Sequence, residues 1–179
     1  MTDKARLYGG SLYELAAGEN LEDAVKQQMD QIRRLFRENP DYVKLLGNPS
    51  IPLPDRCGLI EEAFGQSAER YLVSFLKLLC ERGLMWEYAG CCDEFTARYN
   101  AQHGIVEAVV TSAVPLTEEQ REALIRKLSS ISGRQVNLTE RVDSTVIAGL
   151  RVEMEGKQFD GTAAGRVAGI SRKLETLVL

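Results

Sequence analysis

The sequence predicts an α+β fold: an N-terminal six-helix bundle followed by a small C-terminal domain with a short β-sheet and one or two helices. Three observations lead to this prediction. Helical segments divided by glycine, proline and asparagine fill the first part of the chain, β-branched residues become frequent at Ile105, and apolar residues then alternate with polar ones up to Met154. We therefore expect one domain over residues 1–105 and a second over residues 106–179.

Six helices are predicted in the first domain. Glycine, proline and asparagine separate six segments in which apolar residues recur at helical spacing, and the connections between these segments are short. Asn20 is expected to cap the second helix and Ser67 the fifth. The stretch NPSIPLPD, residues 48–55, contains three prolines and is predicted to be an irregular connection. The predicted helices cover about residues 3–17, 20–38, 40–47, 55–64, 67–83 and 84–103.

The second domain is predicted to begin with a strand, IVEAVVTSAV, and to continue with a helix that ends at Gly133. Thr117 and Gln120 have the spacing of a capping box at the start of that helix. The segment 136–154 then reads as a β-hairpin, with its turn at Asp143-Ser144 and its second strand beginning at Val146. EGKQFDG predicts a further turn with a short strand, and residues 162–179 predict a terminal helix.

Composition excludes several classes of protein. The net charge is -4, which disfavours a nucleic-acid binder because such domains usually carry a basic face. No apolar run approaches the roughly 18 residues that a membrane-spanning helix needs, so we expect a protein that reaches a membrane only through a complex.

Residues that could carry catalysis or bind a metal are few. The single histidine, His103, lies at the expected end of a helix, where a cation is favoured, so it is interpreted as a capping residue. Cys57, Cys80, Cys91 and Cys92 form no CxxC pair and are interpreted as reduced thiols, the last two as packing residues. The glycines in GTAAGRVAG are interpreted as a close-packing face, since the GK[ST] ending of a phosphate loop is missing. We therefore predict no catalytic residue, no cofactor and no metal site.

The fifth and first predicted helices carry more apolar surface than one packed face needs. Between Tyr71 and Cys80 only Ser74 and Lys77 are polar. Leu72, Leu76 and Leu79 form one stripe of the fifth helix, and Tyr71, Phe75 and Leu78 form another. On the first helix Tyr8, Leu12 and Leu15 form a stripe, and the small residues Gly10 and Ser11 are expected to leave space beside it. Either both helices are ordinary core, or a groove between them receives an amphipathic helix from a partner.

Three segments resemble segments of a known protein family. They are ARLYGGSLYELA in the first helix, LLCERGLM at the end of the fifth, and VNLTERVDSTVIAGLRVEMEGKQFDGT in the second domain. Over essentially its whole length the chain resembles the delta subunits of the rotary (F-type) ATP synthase, a family that includes the mitochondrial oligomycin-sensitivity-conferring protein. The longest match is the family pattern Asp-x-[ST]-[LIV]-[IL]-[GA]-G followed later by D-[GA]-S. Its matching residues here are Asp143, Thr145, Gly149, Asp160, Gly161 and Thr162.

The resemblance implies a stator subunit without an active site of its own. In that family the N-terminal bundle binds the N-terminal segments of the alpha subunits of the catalytic head, and the C-terminal domain binds the peripheral stalk b subunits. Rotor torque can then drive ATP synthesis coupled to proton transport. The implied location is the cytoplasmic face of the cell membrane, as a peripheral part of the complex. The residues implied to line the alpha-binding groove are Tyr8, Ser11, Leu12, Leu15, Tyr71, Phe75 and Leu78.

The sequence is also compatible with two other functions. One is a generic helical adaptor that binds an amphipathic helix in another assembly. The other is a small hydrolase or transferase, which would need His103 or a cysteine in a deep pocket with a shifted pKa.

Overall fold

In a computed structural model, residues 2–146 and 149–161 are described. Cα packing divides the chain into two compact units, Met1–Tyr99 and Asn100–Leu179, and the division falls within a helix. Helices make up the first unit, and a four-stranded sheet lies in the second. The predicted α+β class is confirmed. The predicted terminal helix and most of the GTAAGRVAG segment lie outside the described residues.

Short turns separate the helices of the first unit, and a 3-10 turn, Met85–Glu87, precedes the last of them. The helices are α1 (Asp3–Gly18), α2 (Glu22–Glu38), α3 (Pro40–Leu46), α4 (Leu53–Phe64), α5 (Arg70–Glu81) and α6 (Tyr88–His103). An aromatic cluster of Phe36, Tyr42, Phe64 and Tyr88 fills one part of the core, with ring centroids 5.0–6.5 Å apart. Edge-to-face contacts of this kind add to the stabilisation from burial alone.

Asn20 was predicted to begin α2, and this is wrong: it ends α1 instead. Its φ is 57°, in the left-handed region that asparagine tolerates better than most residues. The amide of Leu21 donates to the carbonyl of Ala16 at 2.8 Å, and the amide of Asn20 donates to Ala17 at 3.2 Å. This is the paired bonding of a Schellman motif, so Asn20 satisfies carbonyls of the preceding helix.

Ser67 was predicted to cap α5, and this is also wrong. The helix begins at Arg70, and the amide of the preceding Glu69 donates to the side-chain oxygen of Gln28 at 2.7 Å. An acceptor from α2 therefore does the work of a local cap, which sequence spacing cannot reveal.

The proline-rich connection is irregular over residues 48–52, but α4 begins at Leu53, earlier than the predicted start near Asp55. Arg56 holds the connection in place. The guanidinium of this buried residue donates to the carbonyls of Leu46 and Ile51 at 2.9 and 3.0 Å. Buried carbonyls that helices cannot pair are satisfied in this way.

Beyond the end of α6, the described residues of the second unit form one helix and one mixed sheet. Its elements are β1 (Ile105–Ser112), α7 (Glu118–Ser132), β2 (Gln135–Val142), β3 (Leu150–Met154) and β4 (Lys157–Asp160). The strand order is β2-β1-β3-β4, with β2 parallel to β1 and the other neighbours antiparallel. The predicted capping box is present, because Thr117 and Gln120 exchange side chain-to-amide bonds at the start of α7.

The predicted hairpin over residues 136–154 is wrong. β2 and β3 lie on opposite sides of β1, which is buried at Val106, Ala108 and Val110. A strand this apolar is stable when both of its edges are paired, so the chain crosses the end of β1 between β2 and β3. The second strand begins at Leu150 rather than Val146.

The hairpin of this unit joins β3 and β4, where EGKQFDG predicted a turn and a short strand. Met154 pairs with Lys157 across the two turn residues Glu155 and Gly156, whose φ values are 50° and 72°. Two positive φ values are the requirement of a type I′ turn.

Candidate functional site

A groove between α1 and α5 brings together all seven residues predicted to bind a partner helix. We call it the helix groove. Its volume is about 230 Å³. It is lined by Tyr8, Ser11, Leu12, Leu15, Tyr71, Ser74, Phe75 and Leu78.

The helix groove has a buried apolar floor and an exposed rim. Leu12 and Phe75 are only 3% and 6% exposed and form the floor. Leu15, at 44% exposed, and the exposed Ser11 and Ser74 form part of the rim. Such a profile presents apolar surface to an incoming side chain while polar groups at the edge remain hydrated.

The two stripes predicted on α5 face different ways. Leu72, Leu76 and Leu79 are fully buried in the core of the unit. Tyr71, Phe75 and Leu78 lie on the adjoining face and line the groove. The core therefore covers the first stripe fully, whereas Tyr71 and Leu78 of the second stripe stay partly exposed in the groove.

Ser74 is the lining residue that the sequence analysis missed. It lies three residues after Tyr71 and four before Leu78, on the same helix face, and this spacing could have identified it. Its hydroxyl interrupts an otherwise apolar wall.

Gly10 was predicted to leave space beside the groove, and this is wrong. Gly9 and Gly10 are buried against α6 instead, where an added Cβ would collide with the carbonyl of Cys91 and with the guanidinium of Arg98. Of the predicted pair Gly10 and Ser11, only Ser11 lines the groove. Its hydroxyl donates to the carbonyl of Leu7 at 2.9 Å.

The chemistry of the helix groove is that of a binding surface. Its lining residues include no carboxylate, histidine or cysteine. One cation lies nearby: the guanidinium of Arg70 lies 5.5 Å from the ring centre of Tyr71, a cation–π contact that steadies the ring at the rim. Apolar contact with an amphipathic helix is what such a surface provides.

Two of the cysteines considered as candidate nucleophiles, Cys91 and Cys92, lie outside the groove and are not activated. Burial raises the pKa of Cys91 and of Cys92 to about 12, so both remain protonated thiols at neutral pH. Both are fully buried packing residues, as predicted. Within the described ranges no cluster of three or more histidine, cysteine or acidic side chains could hold a metal.

In the second unit the matched motif residues form backbone supports. The Asp143 carboxylate accepts from the amide and hydroxyl of Thr145 at 2.9 and 2.7 Å, and these bonds lower its pKa. Gly149 has a φ of 103° just before β3. Asp160 lies 3.9 Å from Arg151 across the β3–β4 pair, and the amide of Gly161 donates to Leu150 at 2.9 Å. Thr162 lies outside the described residues.

A second apolar groove lies beside α7, and the sequence analysis did not predict it. We call it the sheet groove; its volume is about 540 Å³. It is lined by Ser112, Ala113, Val114, Leu116, Gln120, Ala123, Leu124, Lys127, Gly149 and Leu150. Val114, at 67% exposed, marks its rim.

Comparison with known proteins identifies the family of the chain. The family model of the ATP synthase delta (OSCP) subunit matches residues 5–174. The chain belongs to this family. It is accordingly a non-catalytic stator subunit of ATP synthase rather than an enzyme with its own active site.

Relatives in the family cover nearly the whole chain. Subunits named ATP synthase subunit delta from Lactiplantibacillus plantarum and Anoxybacillus flavithermus are 30% and 31% identical over 171 residues, 95% of this chain and 94% and 96% of theirs. A chain of the Toxoplasma gondii mitochondrial ATP synthase hexamer matches with a TM-score of 0.72, over 97% of this chain and 98% of its own. At 17% identity that likeness establishes the fold. No helix in the described ranges has the length and hydropathy to cross a bilayer.

Proposed function

We propose that the helix groove binds the amphipathic N-terminal segment of an alpha subunit of the catalytic head. The observation that carries this proposal is the second apolar stripe of α5, because Tyr71 and Leu78 remain partly exposed and line the groove with Leu15. Leu12 and Phe75 form the buried floor beneath them. The first unit would act as a six-helix bundle in which the other four helices hold α1 and α5 in place.

The close packing of α1 against α6 supports this role. Gly9 and Gly10 allow α1 to approach α6, with Ala5 against Gly90 at the same contact. Arg98 of α6 also pairs with Glu14 of α1 at 2.6 Å. One wall of the groove is therefore held rigidly before a partner arrives, which reduces the entropy lost on binding.

We also propose that the second unit binds the peripheral stalk b subunits. The sheet groove supports this part, because Leu116, Leu124 and Leu150 offer apolar surface that a helix from the stalk could cover. Bound at both units, the protein would hold the head against rotor torque from the cytoplasmic face of the cell membrane. The helix groove would equally suit a generic helical adaptor. The family of the chain favours the stator function over that alternative.

Substitution in the helix groove tests the alpha-binding proposal. Leu78→Asp places a carboxylate in the apolar lining and is expected to weaken binding of a labelled alpha N-terminal peptide to the full chain by about 2 kcal/mol or more. Fluorescence anisotropy measures the change. Leu7→Asp is the matched control, because it makes the same leucine-to-aspartate change on α1, the other helix of the groove, at a residue that is 65% exposed and lines no part of the groove. Equal affinity of both variants and the wild type would refute the groove as the binding site.

A further inference from the structure

A cavity on a different part of the first unit combines an exposed indole with two arginines. We call it the tryptophan pocket; its volume is about 350 Å³. It is lined by Arg33, Phe36, Arg37, Val43, Met85, Trp86, Tyr88 and Ala89. None of these residues lines the helix groove, so the tryptophan pocket is a separate surface.

The floor of the tryptophan pocket is apolar and fixed. Phe36, Met85 and Tyr88 are 8%, 1% and 2% exposed. The hydroxyl of Tyr88 donates to the carbonyl of Met29 at 3.2 Å, so its polar end is satisfied within the core. What the floor offers to a ligand is therefore apolar and aromatic surface in a defined position.

Trp86 forms one wall. It is the single tryptophan of the chain and is 66% exposed, while its indole N–H already donates to the carbonyl of Gly83 at 3.0 Å. That bond holds the indole at the surface. Tryptophan and arginine are the residues most enriched at the energetic centres of protein interfaces, and here they lie together.

The residues that line the tryptophan pocket include two arginines and no acidic residue. Arg33 pairs with Asp93 at 2.7 Å, which fixes its guanidinium beside the pocket. Arg37 forms no ion pair with any described residue. Arg33 is already paired, so Arg37 is the guanidinium of the lining with which an incoming carboxylate can pair.

We propose that the tryptophan pocket binds an acidic amphipathic segment of a partner protein. An apolar side chain of that segment would lie on the floor against Trp86, and a carboxylate one helical turn away would pair with Arg37. The helix groove, which has no arginine in its lining, suits a partner recognised by apolar contact. The two surfaces therefore select different partner chemistries.

Emission from Trp86 reports occupancy directly, because no other tryptophan contributes. The full chain is titrated with a short blocked peptide, free of tryptophan, in which glutamates flank a leucine. The expected result is a blue shift of Trp86 emission with saturable binding that weakens as salt rises. A second peptide with glutamine in place of each glutamate should bind at least about tenfold more weakly, since charge-assisted bonds are lost.

Variants of neighbouring arginines locate the carboxylate. Arg37→Gln is expected to weaken binding of the glutamate peptide roughly tenfold. The matched control is Arg34→Gln, which removes an exposed arginine of the same helix that does not line the pocket. The proposal is overturned by any of three results: no shift up to about 1 mM peptide, equal binding of the two peptides, or equal loss in the two variants. Tighter binding of a single-stranded oligothymidylate than of the glutamate peptide would also overturn it in favour of nucleic acid.

Discussion

Gly9 lies where α1 crosses α6, and its missing side chain determines how near the two helices come. A Cβ at this position would overlap the backbone carbonyl of Cys91. Backbone atoms cannot rotate away as a flexible side chain can, so the helices would have to separate. The glycine therefore costs helix propensity, up to about 1 kcal/mol, but permits the contact that positions one wall of the helix groove.

Gly9→Ala is accordingly expected to lower the free energy of unfolding by about 1–3 kcal/mol, measured by urea denaturation. Gly18→Ala is the matched control. A Cβ at Gly18, in the last turn of the same helix, would meet nothing within 4 Å. Its substitution should leave stability unchanged or raise it by up to about 1 kcal/mol. Equal effects at the two positions would show that Gly9 is not a close-packing site.

Asp143 supports the chain as it leaves β2, and its role depends on its charge. Hydrogen bonds from the hydroxyl and amide of Thr145 favour the carboxylate and lower the pKa of Asp143 below its usual range. A group whose pKa is lower in the folded state stabilises that state above its unfolded pKa, about 3.9 for aspartate. The contribution is lost as pH falls from there through the folded pKa.

The free energy of unfolding of Asp143→Ala should therefore lie below that of the wild type at neutral pH and approach it below about pH 4. Denaturation series at several pH values measure both curves. A difference that stays constant down to the acid limit would mean that the side chain acts through packing alone and that its charge contributes nothing.

Among the secondary-structure elements, α7 has both of its ends fixed by residues close to it in sequence. Thr117 accepts from the amide of Gln120 at 3.3 Å, and the Gln120 side chain accepts from the amide of Thr117 at 3.0 Å. Gly133 ends the helix with a φ of 68°. Both ends were predictable because the groups that fix them lie within a few residues in sequence.

Thr117→Ala should lower the free energy of unfolding by about 1 kcal/mol, as the removal of a side-chain N-cap typically does. Thermal unfolding followed by circular dichroism measures the loss. Thr117→Ser retains the hydroxyl and serves as the control, so equal losses in the two variants would show that the capping bond does not contribute.

Elements fixed by distant groups could not be predicted in the same way. The start of α5, for example, depends on Gln28 of α2. Asn20 is a different case, because its bonds are local but asparagine suits both the end of one helix and the start of the next. The order of the strands depends on β1 requiring a neighbour at each edge, a property of the sheet that the alternation in residues 136–154 does not contain. The apolar residues of the helix groove could be predicted because each of its two helices carries them in a stripe at helical spacing. The sheet groove was not predicted, because its residues come from several separate elements.

At the scale of the whole molecule, the chain has two units with different surfaces. The first offers the helix groove and the second the sheet groove, and both are apolar. A stator subunit must remain bound while torque is applied, so its interfaces need slow dissociation. In the proposed function, burial of a partner's apolar side chains in the helix groove would provide slow dissociation without any catalytic group.

In the proposed function, the helix groove buries the apolar face of the alpha subunit's N-terminal segment. Calorimetric titration of the full chain with a synthetic peptide of that segment, repeated at several temperatures, tests it most directly. We expect one peptide bound per chain with a negative heat-capacity change, the signature of apolar burial. Absence of binding to the folded chain, or binding without a heat-capacity change, would contradict the claim.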